Sequence, residues 1–472
     1  MKSDRARFLW IMVSPVLVAS YYLITPSGVP LLMPDSNSYI NFDPGRPIGY
    51  PVALAVTKFV TGDYSNIRYV QILIFCFTTG LLGMAIWRFS QSLILALIAQ
   101  LGIFAYPGPI SLAQSMIADS LSASVIMLLV CTLFYFFLNP SLKRYALICG
   151  VAAVSITLRP VNIALVTVPV ILAVTCRKKI CEQIGIIASV CVAIILVGIE
   201  ITPIAGRLIH GNFETSTPLA RGLFQKAIFM DPRPDNSPHK ECDASYIESI
   251  TGPINAYLQT VPVEMRSLMR FQYSQIIRFS SILPGLESRH RESSDYNSDK
   301  VLMCYTLERF REDPMSVVRQ SVAEYWNLIS NYTFITRQER NRYLSFLAMH
   351  PPVLPPMNEG PDAPFDPPKG RPILIIAALK VVQLLTTIVT AVLAAATLAR
   401  FPSVALSDHW LVAGLVALAA QSLLATTAVV EMAQARYFFP VWPLFWTVLV
   451  MTAFGALSAI GFFGRPSDFP KR

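Results

Sequence analysis

Charged residues are scarce in this chain. Asp, Glu, Lys and Arg make up 14% of its 472 residues, hydrophobic residues make up 54%, and the mean hydropathy is +0.51. An ordinary soluble domain carries about 25% charged residues, so this composition excludes that class. The composition instead predicts an α-helical polytopic membrane protein.

Several chemical signatures are also missing. The sequence has no P-loop, no glycine-rich dinucleotide fingerprint and no His/Glu zinc motif. Six of the eight cysteines lie in or beside apolar runs without metal-ligand spacing, at positions 76, 131, 149, 176, 181 and 191. These patterns therefore indicate no cofactor and no metal centre.

Apolar runs predict about ten transmembrane helices, because a helix needs about 20 mainly apolar residues to cross the hydrocarbon core. The first run has no small-residue cleavage site before polar sequence, so we interpret it as an uncleaved helix rather than a signal peptide. The predicted spans are 8–25, 68–87, 91–106, 115–138, 145–158, 161–176, 183–204, 373–399, 409–429 and 437–462.

Lysine and arginine cluster before span one and after spans two, four, six, eight and ten. Such clusters stay in the cytoplasm, so both termini are predicted to be cytoplasmic and the loops after odd-numbered spans to face outward. Merging 145–158 with 161–176 into one span would place the basic residues 177–179 outside. We therefore predict a hairpin around Arg159 and Pro160.

Residues 207–372, between spans seven and eight, are predicted to form a mainly helical periplasmic domain. They contain 19 basic and 19 acidic residues, so the net charge of +9 arises entirely in the membrane part. The excess reflects topology and contact with membrane lipids, and it does not indicate nucleic-acid binding. The flanking modules are 1–206 and 373–472. One amphipathic helix is predicted to be capped by Asp313.

Cys242 and Cys304 are the only cysteines in the predicted outward domain. An oxidising compartment permits a disulfide there, but sequence does not supply the distance between the two residues. Whether they are bonded is left open.

The first outward loop, Met33–Pro51, carries two aspartates and an arginine. A carboxylate at the membrane surface can act as a general base towards a hydroxyl, while arginines stabilise a phosphate leaving group. Alternatively the aspartates only shape the backbone, with Asp35 as a helix cap and Asp43 in a turn. Further acidic residues at or near outward ends are Asp63, Asp119, Glu200 and Glu431.

Four segments, in order, resemble the polyprenyl-phosphate-sugar-dependent glycosyltransferases of the GT-C superfamily, which includes protein O-mannosyltransferases and the aminoarabinose transferases of lipid A. They are PDSNSY with GRPIGYP in the first outward loop, SMIADSLSASVIML, LRPVNIAL, and QARYFFPVWPLFWTVLV near the C terminus. A large domain after span seven also resembles that family's layout. The resemblance covers most of the membrane part.

The resemblance implies an inverting transfer at the periplasmic face of a bacterial inner membrane, from a polyprenyl-phosphate sugar donor to a lipid, glycan or protein acceptor. Asp35 is the implied general base, and Asp119 would support the acceptor or the donor sugar. The implied substrate-binding residues are Tyr39, Asp43, Arg46, Tyr50, Arg159, Arg436 and Tyr437. Some members of the superfamily use a divalent metal, although no ligand cluster is evident in this sequence.

Simpler roles exist for several of these residues. Arg436 can be an interfacial residue whose side chain extends to the membrane surface, and the tyrosines can belong to an interfacial belt. Arg159 lies near lipid depth, where a cation needs a buried partner, either a carboxylate or the phosphate. A transporter or flippase, or another non-transferase component of envelope glycan assembly, remains the alternative function.

The orientation generates a direct test. If residues 207–372 face the periplasm, a reporter enzyme fused at Glu292 should be active only on the outer side of the membrane. A fusion at the C terminus is the control and should report the cytoplasm. Cytoplasmic activity at Glu292 would contradict the outward placement of every predicted site residue.

Overall fold

The computed structural model describes residues 2–25, 36–43, 46–176, 180, 183–210, 218–230, 241–260, 282–291, 297–330, 373–399, 408–430 and 435–459. Within these ranges most residues are helical and none forms a strand. The helices, in chain order, are α1 (Lys2–Ile24), α2 (Ser36–Ile40), α3 (Gly49–Thr61), α4 (Ile67–Ser90), α5 (Leu93–Ala105), α6 (Pro107–Ala113), α7 (Asp119–Leu138), α8 (Leu142–Leu158), α9 (Thr167–Thr175), α10 (Ile184–His210), α11 (Pro218–Ala227), α12 (Ala244–Thr260), α13 (Leu283–Arg289), α14 (Ser298–Glu312), α15 (Pro314–Ser330), α16 (Ile373–Ala399), α17 (Asp408–Val430), α18 (Ala435–Phe438) and α19 (Trp442–Ala459).

Seven helical segments among the described residues are long and apolar enough to cross a membrane, so the chain is an α-helical multi-pass membrane protein. They are Asp4–Ile24, Tyr64–Ser90, Asp119–Leu138, Gly185–Ile209, Val381–Ala399, Asp408–Val430 and Trp442–Ala459.

Each of the ten predicted spans coincides with helical structure, but three are short. α5 has 13 residues and α8 has 17, while Pro160–Thr175 begins as a 3₁₀ helix before it becomes α9. A 13-residue helix rises about 20 Å, less than the roughly 30 Å of the hydrocarbon core. Crossings beyond the seven therefore stay a prediction.

α7 is the most enclosed of the long apolar helices and packs against both α4 and α8. Its first turns carry Ser120, Ser122 and Ser124, all fully buried. Small side chains let helices approach closely in a membrane, where lipid supplies no hydrophobic drive for association. Close approach recurs between α10 and α8, where a Cβ on Gly198 would lie 2.7 Å from the Ala153 side chain.

α3 is a short amphipathic helix between the first two long spans. It buries Tyr50, whereas Val56 and Phe59 are exposed. Such an apolar face beside membrane helices is typical of a helix that lies along the lipid interface. α3 begins against α8, because a Cβ on Gly49 would lie 2.8 Å from the carbonyl oxygen of Thr157. Glycine is needed for this approach.

The C-terminal helix α19 is fixed to α5 by two tryptophans. The indole of Trp442 donates to the carbonyl oxygen of Gly102 at 3.1 Å, and that of Trp446 donates to Ile98 at 3.0 Å. The Trp442 ring also stacks on Tyr106, with ring centroids 4.3 Å apart. These contacts hold the start of α19, and α18 before it, beside the N-terminal helices.

The chain divides into two compact units. The first comprises Met1–Phe213, Ile373–Leu424 and Arg436–Arg472, and the second comprises Glu214–Pro372 with Ala425–Ala435. The first unit therefore combines N-terminal and C-terminal apolar helices.

The second unit has an apolar core formed by α11 to α14. Its fully buried members include Phe224, Ile247, Leu286 and Leu302. At the start of α15 the Asp313 carboxylate accepts a hydrogen bond of 2.9 Å from the backbone N–H of Ser316. The predicted cap at Asp313 is confirmed.

Cys242 and Cys304 form a disulfide in the second unit. They are 62 residues apart in sequence, and their Cα atoms are 5.5 Å apart, within the usual range for a disulfide. The bond joins the 3₁₀ turn Glu241–Asp243 to α14. It resolves the pairing that the sequence left open.

Removing this disulfide should destabilise the protein. Loss of such a bond costs about 2–5 kcal/mol, in part because the unfolded chain is no longer closed into a loop. We expect a reductant to lower the melting temperature of the wild-type protein in detergent. The Cys242→Ser/Cys304→Ser variant should have a lower melting temperature than wild type, and the reductant should not change it. An equal fall in melting temperature for both proteins would contradict the disulfide.

Candidate functional site

Most residues of the predicted site lie in the described part of the chain. Asp35 and the side chain of Arg436 lie outside the described residues. The others belong to α2, the turn that follows it, α3, α7, the end of α8 and α18. All of these elements are in the first unit, apart from the first residue of α18.

A buried ion pair joins α7 to the end of α8. Oδ1 of Asp119, the first residue of α7, lies 2.7 Å from Nη1 of Arg159, and the side chains are 8% and 11% exposed. No aligned N–H among the described residues points at Oδ1, so charge rather than hydrogen-bond geometry holds the contact. The first turn of a helix favours a carboxylate electrostatically. Asp119 is therefore the buried partner that Arg159 was predicted to need.

The Arg-Pro dipeptide determines where this arginine projects. Proline disfavours helical backbone in the residue before it, and Arg159 is extended, with φ −145° and ψ 124°. α8 ends there, and a 3₁₀ helix, Pro160–Val166, follows. The guanidinium leaves the helix axis at this break and contacts α7.

Asn162 fastens the two helical turns that carry the ion pair. Its side-chain N–H groups donate to Ser122 Oγ on α7 and to the carbonyl oxygen of Ser155 on α8, both at 2.9 Å. Ser122 follows Asp119 by about one turn, and Ser155 precedes Arg159 by about one turn. Asn162 is 2% exposed, so this clamp is part of the helix interface.

α18 supplies an aromatic face on the other side of Arg159. The guanidinium carbon lies 4.9 Å from the ring centroid of Tyr437. A guanidinium over a tyrosine face is attracted by the ring quadrupole. Arg159 is therefore restrained by a carboxylate from α7 and by a ring near the C terminus.

The first predicted loop forms a second arginine–tyrosine pair. The Arg46 guanidinium carbon lies 4.6 Å from the centroid of the Tyr39 ring, and its Nε donates to Ser38 Oγ at 2.7 Å. The backbone N–H of Arg46 donates to the carbonyl oxygen of Asp43 at 2.9 Å, which closes the turn predicted there. Ser36 Oγ donates to the Met116 carbonyl at 2.8 Å and joins α2 to the segment before α7.

Tyr50 connects the two arginine–tyrosine pairs. Its ring meets the Tyr39 ring edge-on, with centroids 4.9 Å apart, and is fully buried. Burial raises the pKa of Tyr50 well above its usual range, and the neighbouring Tyr39 and Asp119 raise it further. Its phenol is therefore a neutral donor, and its ring packs with Ala118 and Leu121, which flank Asp119.

The described site residues thus form one continuous group. It runs from Arg46 through Tyr39 to Tyr50, which packs with Ala118 and Leu121 on either side of Asp119, and on from Asp119 through Arg159 to Tyr437. The faces of two tyrosines hold arginines, and the Tyr50 ring is enclosed. The Tyr50 ring, predicted to bind substrate, therefore presents no open face on which a sugar could stack.

The remaining outward acidic residues are placed differently. The Asp63 carboxylate accepts hydrogen bonds from Ser65, which lower the pKa of Asp63, and it caps a 3₁₀ helix. Glu200 is exposed on α10. Glu431 lies outside the described residues. Of the three members that the structure describes, Asp63, Asp119 and Glu200, Asp119 has its side chain buried in the group.

Sequence reasoning missed Asn162 and the contact at Gly49. Both lie inside the quoted segments LRPVNIAL and GRPIGYP. A polar amide in an otherwise apolar run is a usable signal, because a buried amide must find hydrogen-bond partners. The close approach at Gly49 depends on α8, more than 100 residues later, and has no local signal.

Comparisons do not assign the site. No protein-family model, curated protein or solved structure matches the chain. Among the described residues, no group of three or more His, Cys, Asp and Glu side chains is placed to hold a metal ion.

The ion pair should show strong coupling. Asp119→Asn or Arg159→Gln alone leaves a buried charge uncompensated, so each should cost about 3–5 kcal/mol of unfolding free energy. The double variant should lose clearly less than the sum, because neither charge is then left alone. The measurement is unfolding of the three variants and wild type in detergent. Additive losses would contradict the pairing.

Proposed function

We propose that this protein is a membrane glycosyltransferase of the GT-C type, which transfers a sugar from a polyprenyl-phosphate donor to a lipid, glycan or protein acceptor with inversion. The observation that carries the proposal is that the predicted site residues, which are far apart in sequence, lie together in the structure. Residues from four segments that span about 400 positions lie together: Tyr39 to Tyr50 pack against Ala118 and Leu121, which flank Asp119, and Asp119 pairs with Arg159, which contacts Tyr437. A scaffold without chemistry has no need of such a group.

Two arginines suit the lipid phosphate. A guanidinium is a planar fork of five donors that matches phosphate oxygens, and charge-assisted bonds of this kind are about twice as strong as neutral ones. Arg46 and Arg159 each lie over a tyrosine face. Their positions are therefore fixed before a ligand arrives, so little ordering is required in the transition state. Arg436 is proposed as a third phosphate ligand.

The proposed reaction is a direct displacement. The acceptor hydroxyl oxygen attacks the anomeric carbon from the face opposite the phosphate, the bond from that carbon to the phosphate oxygen breaks, and polyprenyl phosphate leaves. Asp35 accepts the hydroxyl proton as the general base. Asp119 already faces Arg159 at 2.7 Å, so we assign it to binding the donor sugar and to holding that arginine.

The proposed setting is the periplasmic face of a bacterial inner membrane. The amphipathic α3 exposes apolar side chains next to Tyr50, on the same helix. A helix of this kind at the interface suits a substrate whose sugar is polar and whose polyprenyl chain stays in lipid. The disulfide in the second unit suits an oxidising compartment.

The base is tested by exchanging one carboxylate for an amide. Asparagine caps a helix about as well as aspartate, so Asp35→Asn retains a capping role and removes only the proton acceptor. We expect sugar transfer by the folded variant to fall roughly 100-fold or more. The matched control is Asp43→Asn, which should be mild because a turn tolerates asparagine.

The assay is transfer from polyprenyl-phosphate sugars by purified variants that are shown to be folded at the assay temperature. Near-normal transfer by Asp35→Asn together with an inactive Asp119→Asn would move the base to Asp119. Normal transfer by both would contradict the use of these carboxylates in catalysis.

A further inference from the structure

Three tyrosines in the first unit are buried to 1% exposure or less, and their hydroxyls differ in whether they form a hydrogen bond. The Tyr145 hydroxyl donates to the Pro169 carbonyl at 3.2 Å, and the Tyr106 hydroxyl reaches Gln383 Oε1 at 3.5 Å. The Tyr50 hydroxyl has no hydrogen-bond partner among the described residues. A buried hydroxyl without a partner destabilises a fold, and folded proteins rarely contain one.

The Tyr50 ring alone does not explain why a tyrosine occupies this position. It packs in a cluster with Leu54, Ile67 and Leu158, and edge-on against Tyr39. Phenylalanine would fill the same space and bury the same apolar area without an unsatisfied hydroxyl. The hydroxyl is therefore the part of the residue that remains to be explained.

The surroundings of Tyr50 indicate which chemical group of a ligand can bind to its hydroxyl. The phenol can donate, its ring packs with Ala118 and Leu121 at the start of α7, and Asp119 lies between those two residues in the chain and acts on the phenol electrostatically. A group that accepts from a phenol and donates to a carboxylate is a hydroxyl. A phosphate has acceptor oxygens only, so it cannot donate to the Asp119 carboxylate, whereas the guanidinium N–H groups of Arg46 and Arg159 suit it.

We propose that the Tyr50 hydroxyl is a substrate contact, which donates a hydrogen bond to a hydroxyl of the donor sugar that also faces Asp119. This rests on the proposed function, because it takes the lipid-linked sugar as the ligand. It assigns the sugar to Tyr50 and Asp119 and the phosphate to the arginines.

Replacing Tyr50 with Phe separates this role from a structural one. In the ligand-free protein, Tyr50→Phe should keep or raise the melting temperature, because it removes only the unsatisfied hydroxyl. Tyr145→Phe is the matched control. It should lower the melting temperature, because it removes a buried hydrogen bond from the Tyr145 hydroxyl to the Pro169 carbonyl. A fall for Tyr50→Phe as large as that for Tyr145→Phe would overturn the proposal, because the hydroxyl would then have a partner in the protein.

Function is measured in cells that lack the native gene and carry each variant at matched abundance. We expect Tyr50→Phe to lower the envelope glycan made by the protein about tenfold, the effect of losing one strong hydrogen bond in the transition state. Tyr145→Phe should retain glycan synthesis. Full synthesis by Tyr50→Phe would overturn the contact. If removing the native gene alters no envelope glycan, the result contradicts the proposed function, and with it the proposal that the ligand of Tyr50 is a sugar.

A binding measurement distinguishes sugar from phosphate. The probe is polyprenyl phosphate without a sugar, titrated into purified protein. Tyr50→Phe should bind it as wild type does, whereas Arg46→Ala should bind it at least tenfold more weakly. Equal weakening by the two variants would place the phosphate at Tyr50 and overturn the assignment to a sugar hydroxyl.

Discussion

The ion pair between Asp119 and Arg159 constrains the rest of the first unit. Two charges among apolar helices are costly to desolvate, and they are tolerated only when each faces the other. The chain meets this condition with a helix that starts at Asp119, a proline that ends α8 after Arg159, and an amide at Asn162 that fastens both turns. Packing of α7 against α4 and α8 then excludes solvent from the pair.

The same pair organises the charges available to a ligand. Arg159 is held on one side by Asp119 and on the other by the Tyr437 ring, and Arg46 is held by Tyr39 and Ser38. Fixed cations that need no reorganisation are most effective where negative charge develops during a reaction. In the proposed transfer that charge develops on the departing phosphate. The neutral phenol of Tyr50 adds a donor without adding charge.

Local sequence patterns predicted the parts of the fold that depend on local physics. Hydropathy located the apolar helices, and the cap at Asp313 and the turn at Asp43 followed from cap and turn chemistry. The cost of a cation at lipid depth also predicted a buried partner for Arg159.

Features that depend on distant segments were not predictable in this way. The identity of that partner as Asp119, the Cys242–Cys304 bond and the clamp at Asn162 each require knowledge of which helices are neighbours. The aromatic partners of the arginines also depend on contacts over long sequence distances, since Arg159 and Tyr437 are far apart in the chain. The span predicted at 91–106 shows a second limit, because its helix α5 covers only 13 residues and hydropathy reports apolar content better than helix length.

The central claim is that this group of residues transfers a sugar rather than moving a lipid. The most direct measurement uses purified wild-type protein in vesicles that contain a radiolabelled polyprenyl-phosphate sugar and candidate acceptors. The account predicts that free polyprenyl phosphate is released and that the sugar appears on an acceptor with inverted anomeric configuration. Movement of the intact donor between leaflets without cleavage would contradict it.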